Sequence, residues 1–357
     1  MCCLLLFGNV FSPTIAQAWG GRGHHVICSS AVHLVQNENL RRFLQGRPHT
    51  MGHLCNIPDI YWKSLPPSVS RSGDPAHFLD PEVLGLKVKN IPLDYAKIEK
   101  DFLGRDNRFK PAAKIFSVAD DFGSLWWRAD QFFRLITGRK DAFAAAKTPQ
   151  NRKEEQDDKL PYNQEVYAMM VNMGLMGHFV GDAAQPLHNT ADYDGYASGH
   201  GGLHSYFEEA VVSAAPANLE SRVYEEARRI RKAPWLKPGP PLERLRAFSA
   251  ESEAELPQLL GKDPIKRKSE ARVEKGMAIK TPAERHDPSI GWKRYERMIT
   301  GDMARASRFL AALWDDAYAA AGKPDLSGYR SYRYPFTPDF VPLDYLTPAS
   351  GETSKAQ

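Results

Sequence analysis

The chain has 357 residues, 42% hydrophobic and 25% charged, a balance that excludes a collagen-like, coiled-coil or wholly disordered protein. Lys and Arg number 47 against 43 Asp and Glu, a net charge of +4 with histidine neutral. So mild an excess is no warrant for nucleic-acid binding, which shows as a clustered basic stripe. Four cysteines are too few for a disulfide scaffold, and none are spaced as CxxC for a structural zinc site. The eleven histidines carry more information, through their positions.

Residues 1–18 contain no charged side chain. The apolar run Cys2–Phe7 and the small-x-small sequence Ala16-Gln17-Ala18 fit a signal peptide cleaved before Trp19, although the basic start of such a segment is missing. Export to the periplasm or medium is therefore expected. The run is too short to span a membrane, and no later stretch reads as a transmembrane segment. Cleavage leaves Cys28 and Cys55, either as one bridge or as two buried thiols.

Helical periodicity dominates the rest, over residues 25–45, 124–146, 162–184, 203–213, 217–232 and 296–320. Alternating strand patterns are scarce, so the expected fold class is all-α. Lys147–Leu160 is polar and reads as a solvated loop. Residues 233–290 are rich in proline and charge and read as an irregular insertion within a single domain, 19–323. Residues 324–357, rich in Pro, Tyr and Phe, read as an extended tail on the surface.

The chemistry concentrates in His178-Phe-Val-Gly-Asp182-Ala-Ala-Gln-Pro-Leu-His188. His178 and Asp182 are four apart on a helix, so both project from one face. Imidazole nitrogen and carboxylate oxygen there can grip one metal ion. Pro186 breaks the helix and frees His188 to face a different ion. His204 and Glu208 repeat the four-residue spacing. One such pair is weak evidence; two within 31 residues, in apolar surroundings, are much stronger, since a buried carboxylate without a partner is costly. In Trp19-Gly-Gly-Arg-Gly-His24, cleavage frees an amine and a carbonyl oxygen that can chelate with His24. Asp59 and His77 are further candidates.

This pattern resembles the zinc-dependent phospholipase C / S1-P1 nuclease superfamily, over roughly residues 19–215. The resemblance implies a multi-helix domain with three zinc ions in a cleft. It assigns Asp59, His77, His178 and Asp182 to one zinc. The Trp19 terminus, His24 and the other oxygen of Asp182 go to a second, and His188, His204 and Glu208 to a third. Asp59 also becomes the group that orients or deprotonates the attacking water, with Asp74 as its fallback. The expected reaction is phosphodiester hydrolysis. A phospholipid head group is slightly favoured, by Glu208 and the short His188–His204 gap, over single-stranded nucleic acid as in S1/P1 nucleases. A degenerate, metal-binding non-enzyme is the third reading. Trp126, Trp127, Arg128 and Tyr61 are candidate substrate contacts, against the alternative that the tryptophans are core. No protein partner is inferred.

Overall fold

A computed structural model describes residues 19–274 and 277–346. The expected leader, residues 1–18, lies outside the described residues, and so does the end of the tail from residue 347.

The organising element is the helix Pro161–Ala184. Proline at its first turn fixes φ where no N–H is needed. From Met169 to Ala184 every residue of it is buried, Val171 the most exposed at 9%. A helix apolar all round belongs at the centre of a core. It is packed by helices Gly20–Ala31, Pro48–Ile60, Leu125–Thr137 and Pro288–Ala320. The observed structure is thus mostly helical, as the periodicity requires. Among the described residues no helix is long and apolar enough to cross a membrane.

Close approach to the central helix depends on three of its glycines. A Cβ at Gly174 would stand 2.3 Å from Leu54 Cβ, one at Gly177 2.2 Å from Cys28 Sγ, and one at Gly181 2.9 Å from His24 Nδ1. Spaced at three and four, they line one face, into which helices Gly20–Ala31 and Pro48–Ile60 press. Those two helices carry His24 and Asp59.

Pro48–Ile60 has no counterpart among the helices read from periodicity. Pro58 lies inside it and removes a backbone donor, and the chain punctuation there reads as a loop. Burial of Met51, Leu54, Cys55 and Ile57 overrides that local preference. The expected helix 25–45 is interrupted, Gly20–Ala31 being followed by Glu38–Gln45, which Asn37 caps through the amides of Asn39 and Leu40.

The insertion at 233–290 is not irregular throughout. It contains helices Pro241–Ala254 and Leu256–Lys262, with Leu245, Phe248 and Leu259 in the core. Two antiparallel strand pairs follow, Ile265–Arg267 with Glu284–Arg285 and Glu270–Glu274 with Met277–Thr281. Arg285 donates to both oxygens of Asp263, at 2.9 and 3.0 Å, and to Gly201 O at 3.0 Å. Asp263 also holds His200 Nδ1 at 2.8 Å. The excursion therefore clamps the loop that leads into His204. The tail from Lys323 runs without helix or strand to Leu346 and lies against helices Pro48–Ile60 and Leu125–Thr137, where His53 meets Phe336 O and Gln131 donates to Pro342 O.

Gly174→Ala is expected to lower the stability by about 1–3 kcal/mol, because its Cβ meets backbone-anchored Leu54 Cβ. Gly301→Ala, whose Cβ meets nothing within 4 Å, is expected to be neutral or slightly stabilising. Thermal unfolding of the two variants beside the parent chain measures the difference.

Candidate metal centre

His178 and Asp182, four apart on the central helix, are both fully buried. The two oxygens of Asp182 face different ways. Oδ1 is 3.3 Å from His24 Nε2, while Oδ2 is 3.2 Å from His77 Nδ1 and 3.4 Å from His178 Nε2. Asp59 Oδ1 lies 3.7 Å from His178 Nε2 and 3.8 Å from His77 Nδ1. The fallback Asp74 is exposed and belongs to none of these groups.

The second cluster forms where the central helix ends. Pro186 stops the helix, and the Gln185 side chain shapes the turn: its Oε1 accepts from Leu187 N while its Nε2 donates to Glu208 Oε1. That turn points His188 at Glu208, with Nε2 to Oε1 at 3.1 Å. His204 Nε2 reaches the same oxygen at 2.9 Å and His188 Nε2 at 3.1 Å. Tyr206–Val211 is a π-helical turn, a distortion that frequently accompanies functional sites.

Three groups of buried side chains therefore each bring their ligand atoms within 4.8 Å of one another: His24, His178 and Asp182; Asp59, His77 and His178; His188, His204 and Glu208. Each can hold a metal ion. All eight ligand side chains expected from the sequence are among them. Trp19 is placed alongside, its indole donating to Gly181 O at 2.7 Å and its own carbonyl accepting from Gly23 N at 3.0 Å.

Three observations test the fit. First, backbone carbonyls fix which ring nitrogen faces inward. His178 Nδ1 meets Cys55 O at 2.8 Å, His204 Nδ1 meets Tyr193 O at 3.1 Å, and His188 Nδ1 meets His77 O. Each carbonyl accepts a hydrogen bond from Nδ1–H, which keeps the proton on Nδ1 and leaves the Nε2 lone pair toward the cluster, as metal-binding imidazoles require. Second, His24 Nε2, Asp59 Oδ2, Asp182 Oδ1 and Glu208 Oε2 are buried without a hydrogen-bond partner, which is costly unless a cation meets them. Third, the edge of a tetrahedron with arms of about 2.1 Å measures about 3.4 Å, close to the separations around Asp182.

The electrostatics agree. Burial lowers His24 to about 4 and holds His77 and His178 well below the ordinary imidazole value. Burial pushes Asp182 well above the carboxylate range. These imidazoles are neutral donors. In the second cluster burial opposes every charge, yet Glu208 holds His204 above its ordinary value, and His204 and His188 draw Glu208 down to about 2.

Sequence reasoning missed Lys63, four residues beyond Asp59 in the next turn. Its ammonium lies 2.6 Å from Asp59 Oδ1; the i, i+4 spacing is the signal that would have found it. Two of the expected substrate contacts, the tryptophans, need correction. Trp126 is fully buried with its Nε1 on Ser249 Oγ at 2.8 Å, and Trp127 is 4% exposed with its Nε1 on Leu93 O at 2.8 Å. Both are core residues with no free ring face for a ligand, as burial of so much apolar surface favours. Tyr61 closes helix Pro48–Ile60 and packs half-buried against the core. Arg128 is buried beside His77.

No protein-family profile matches the chain. It is similar to a protein of Bradyrhizobium tropiciagri named as a probable serine protease, 24% identical over 271 residues, which are 60% of this chain and 34% of that protein. The chain thus spans about a third of the length of the relative it matches. This finding corrects the expected phosphodiester substrate, phospholipid or nucleic acid, because the matched relative carries a protease name.

In metal-stripped protein, His24 sets a sign for the pH dependence. Its folded value of about 4 lies below the unfolded value, so between pH 6.5 and about 4 only the unfolded chain takes up the proton. Stability is full above pH 6.5 and falls as the pH drops through that window, by on the order of 3 kcal/mol from this residue. His24→Asn is expected to flatten that part of the profile, measured by denaturant unfolding in the presence of chelator.

Proposed function

We propose that the protein is a zinc-dependent hydrolase whose nucleophile is water rather than a side chain, acting on the acyl bond of a peptide or ester. The observation that carries this reading is the buried Asp182 carboxylate, its two oxygens divided between His24 on one side and His77 with His178 on the other. Mixed imidazole and carboxylate donors suit zinc better than magnesium, which prefers oxygen. Bound zinc supplies a water whose pKa falls toward about 7.

The chain's own residues do the remaining work. Asp182 keeps two groups of donors at a fixed spacing. Asp59 Oδ2 is buried and unpartnered, so it is free to accept a proton from water, while Lys63 holds Oδ1 in place. Burial of the whole cluster excludes bulk solvent and strengthens each of these interactions.

The protease name of the matched relative supports hydrolysis and points to a peptide amide as the first bond to assay. The same name also implies a serine nucleophile, which the geometry of this chain does not favour. Among the described residues no hydrogen bond joins a serine hydroxyl to an imidazole; Ser29 and Ser307 bond main-chain oxygens, and Ser117 caps a helix. The order of the ligands still resembles that of the zinc-dependent superfamily named above, and we assign the scaffold, not its substrate, on that resemblance. Export with cleavage before Trp19 belongs to the same reading, since it frees an amine beside His24.

Zinc-loaded protein is expected to cleave unstructured peptide or activated ester substrates. Chelator should abolish the activity, added zinc should restore it, and a serine-directed sulfonyl fluoride should leave it unchanged. Inactivation by the sulfonyl fluoride at full metal content, or no cleavage of either class, would overturn the reading.

A further inference from the structure

Arg128 is a buried cation that the metal centre does not use. It is 1% exposed, on helix Leu125–Thr137. Nη1 donates to Gln131 Oε1 at 2.6 Å, while Nε and Nη2 are buried without a hydrogen-bond partner. The guanidinium lies between the rings of Phe132 (4.7 Å), Trp62 (5.3 Å), Phe340 (5.4 Å) and Phe179 (5.5 Å). Ring faces steady its charge but leave the two donor nitrogens unsatisfied, at a cost that a core built only for stability would avoid.

Arg128 and His77 line one slot, together with Trp62, Phe179 and Phe340. The free volume in it is about 10 Å³, room for about one water molecule. His77 belongs to the metal centre, so the unpaired guanidinium and the centre open on the same space. Phe340 limits that space. It comes from the tail, which crosses the slot without helix or strand. Side chains hold the tail there, Trp62 donating to Pro338 O at 2.9 Å and Gln131 to Pro342 O at 2.7 Å.

We propose that Arg128 anchors an oxyanion of the substrate, a carboxylate or a phosphate group, in a subsite beside the metal centre that Phe340 fills when the tail is closed. An oxyanion meets the two unpaired donors in the bidentate manner that guanidinium geometry favours. The ring of Phe340 occupies the place of the group that bears the anion. Assignment of this subsite to the substrate rests on the hydrolytic reading; binding of the anion does not.

The test is isothermal titration of the full chain at matched metal content with benzoate and, separately, with inorganic phosphate. Phe340→Ala is expected to bind at least one of them about tenfold or more tightly than the parent chain. Adding Arg128→Gln to Phe340→Ala should weaken that binding by about tenfold or more, and Arg128→Lys should weaken it less. Metal-bound anion contributes equally to all variants, so the difference reports Arg128. Dependence seen with benzoate identifies a carboxylate, and dependence seen with phosphate alone identifies a phosphate. Equal binding with and without Arg128, or no binding of either anion by Phe340→Ala, overturns the proposal. Should Arg128→Gln fail to fold, equal affinities for the Arg and Lys forms overturn it.

Discussion

A carboxylate without solvent access, with one oxygen toward His24 and the other toward His77 and His178, is the constraint on which the arrangement turns. Alone, Asp182 would be a costly group to bury. Its three imidazole neighbours are held neutral by the same burial, so they do not repay that cost as cations. Lys63 supplies one positive charge, on Asp59; a metal ion held by these donors would supply the rest. The second cluster is different. There Glu208 and its two histidines compensate one another electrostatically, and a metal competes with protons for the site.

Everything around Asp182 serves to fix direction. Three small residues on the central helix let His24 and Asp59 come close enough to share one centre. Main-chain carbonyls of Cys55, Tyr193 and His77 set the tautomers of His178, His204 and His188. Gln185 ties the end of the central helix to Glu208 and so relates the two clusters. The 233–290 excursion, through Asp263 and Arg285, secures the loop that delivers His204. Rigid elements carry the donors and polar main chain orients them, which is how a metal site keeps its geometry.

Much of this was legible in the sequence, for reasons that are local. His178 with Asp182 and His204 with Glu208 repeat at helical spacing, and Pro186 marks the bend that turns His188 away. The central helix reads almost to the residue, because its apolar run has no breaker before Pro186. Helix Pro48–Ile60 was hidden because Pro58 argues against it, and only its burial against Gly174 decides the matter. The helices of the 233–290 excursion were hidden by their charged and proline-rich composition; Leu245 and Phe248 show their use only once packed. Trp126 and Trp127 look available in a list of aromatics, but their indole donors end on Ser249 and Leu93 inside the core. The substrate is least legible of all, since a metal-activated water serves several reactions and the slot between Arg128 and Phe340 is assembled only by folding.

X-ray diffraction from crystals of the purified protein, recorded at the zinc absorption edge, tests the central claim most directly. Three anomalous peaks are predicted: one beside His24 and Oδ1 of Asp182, one beside Asp59, His77, His178 and Oδ2 of Asp182, and one among His188, His204 and Glu208. No peak at either face of Asp182 in zinc-supplemented protein, with Lys63 remaining the cation on Asp59, would contradict it.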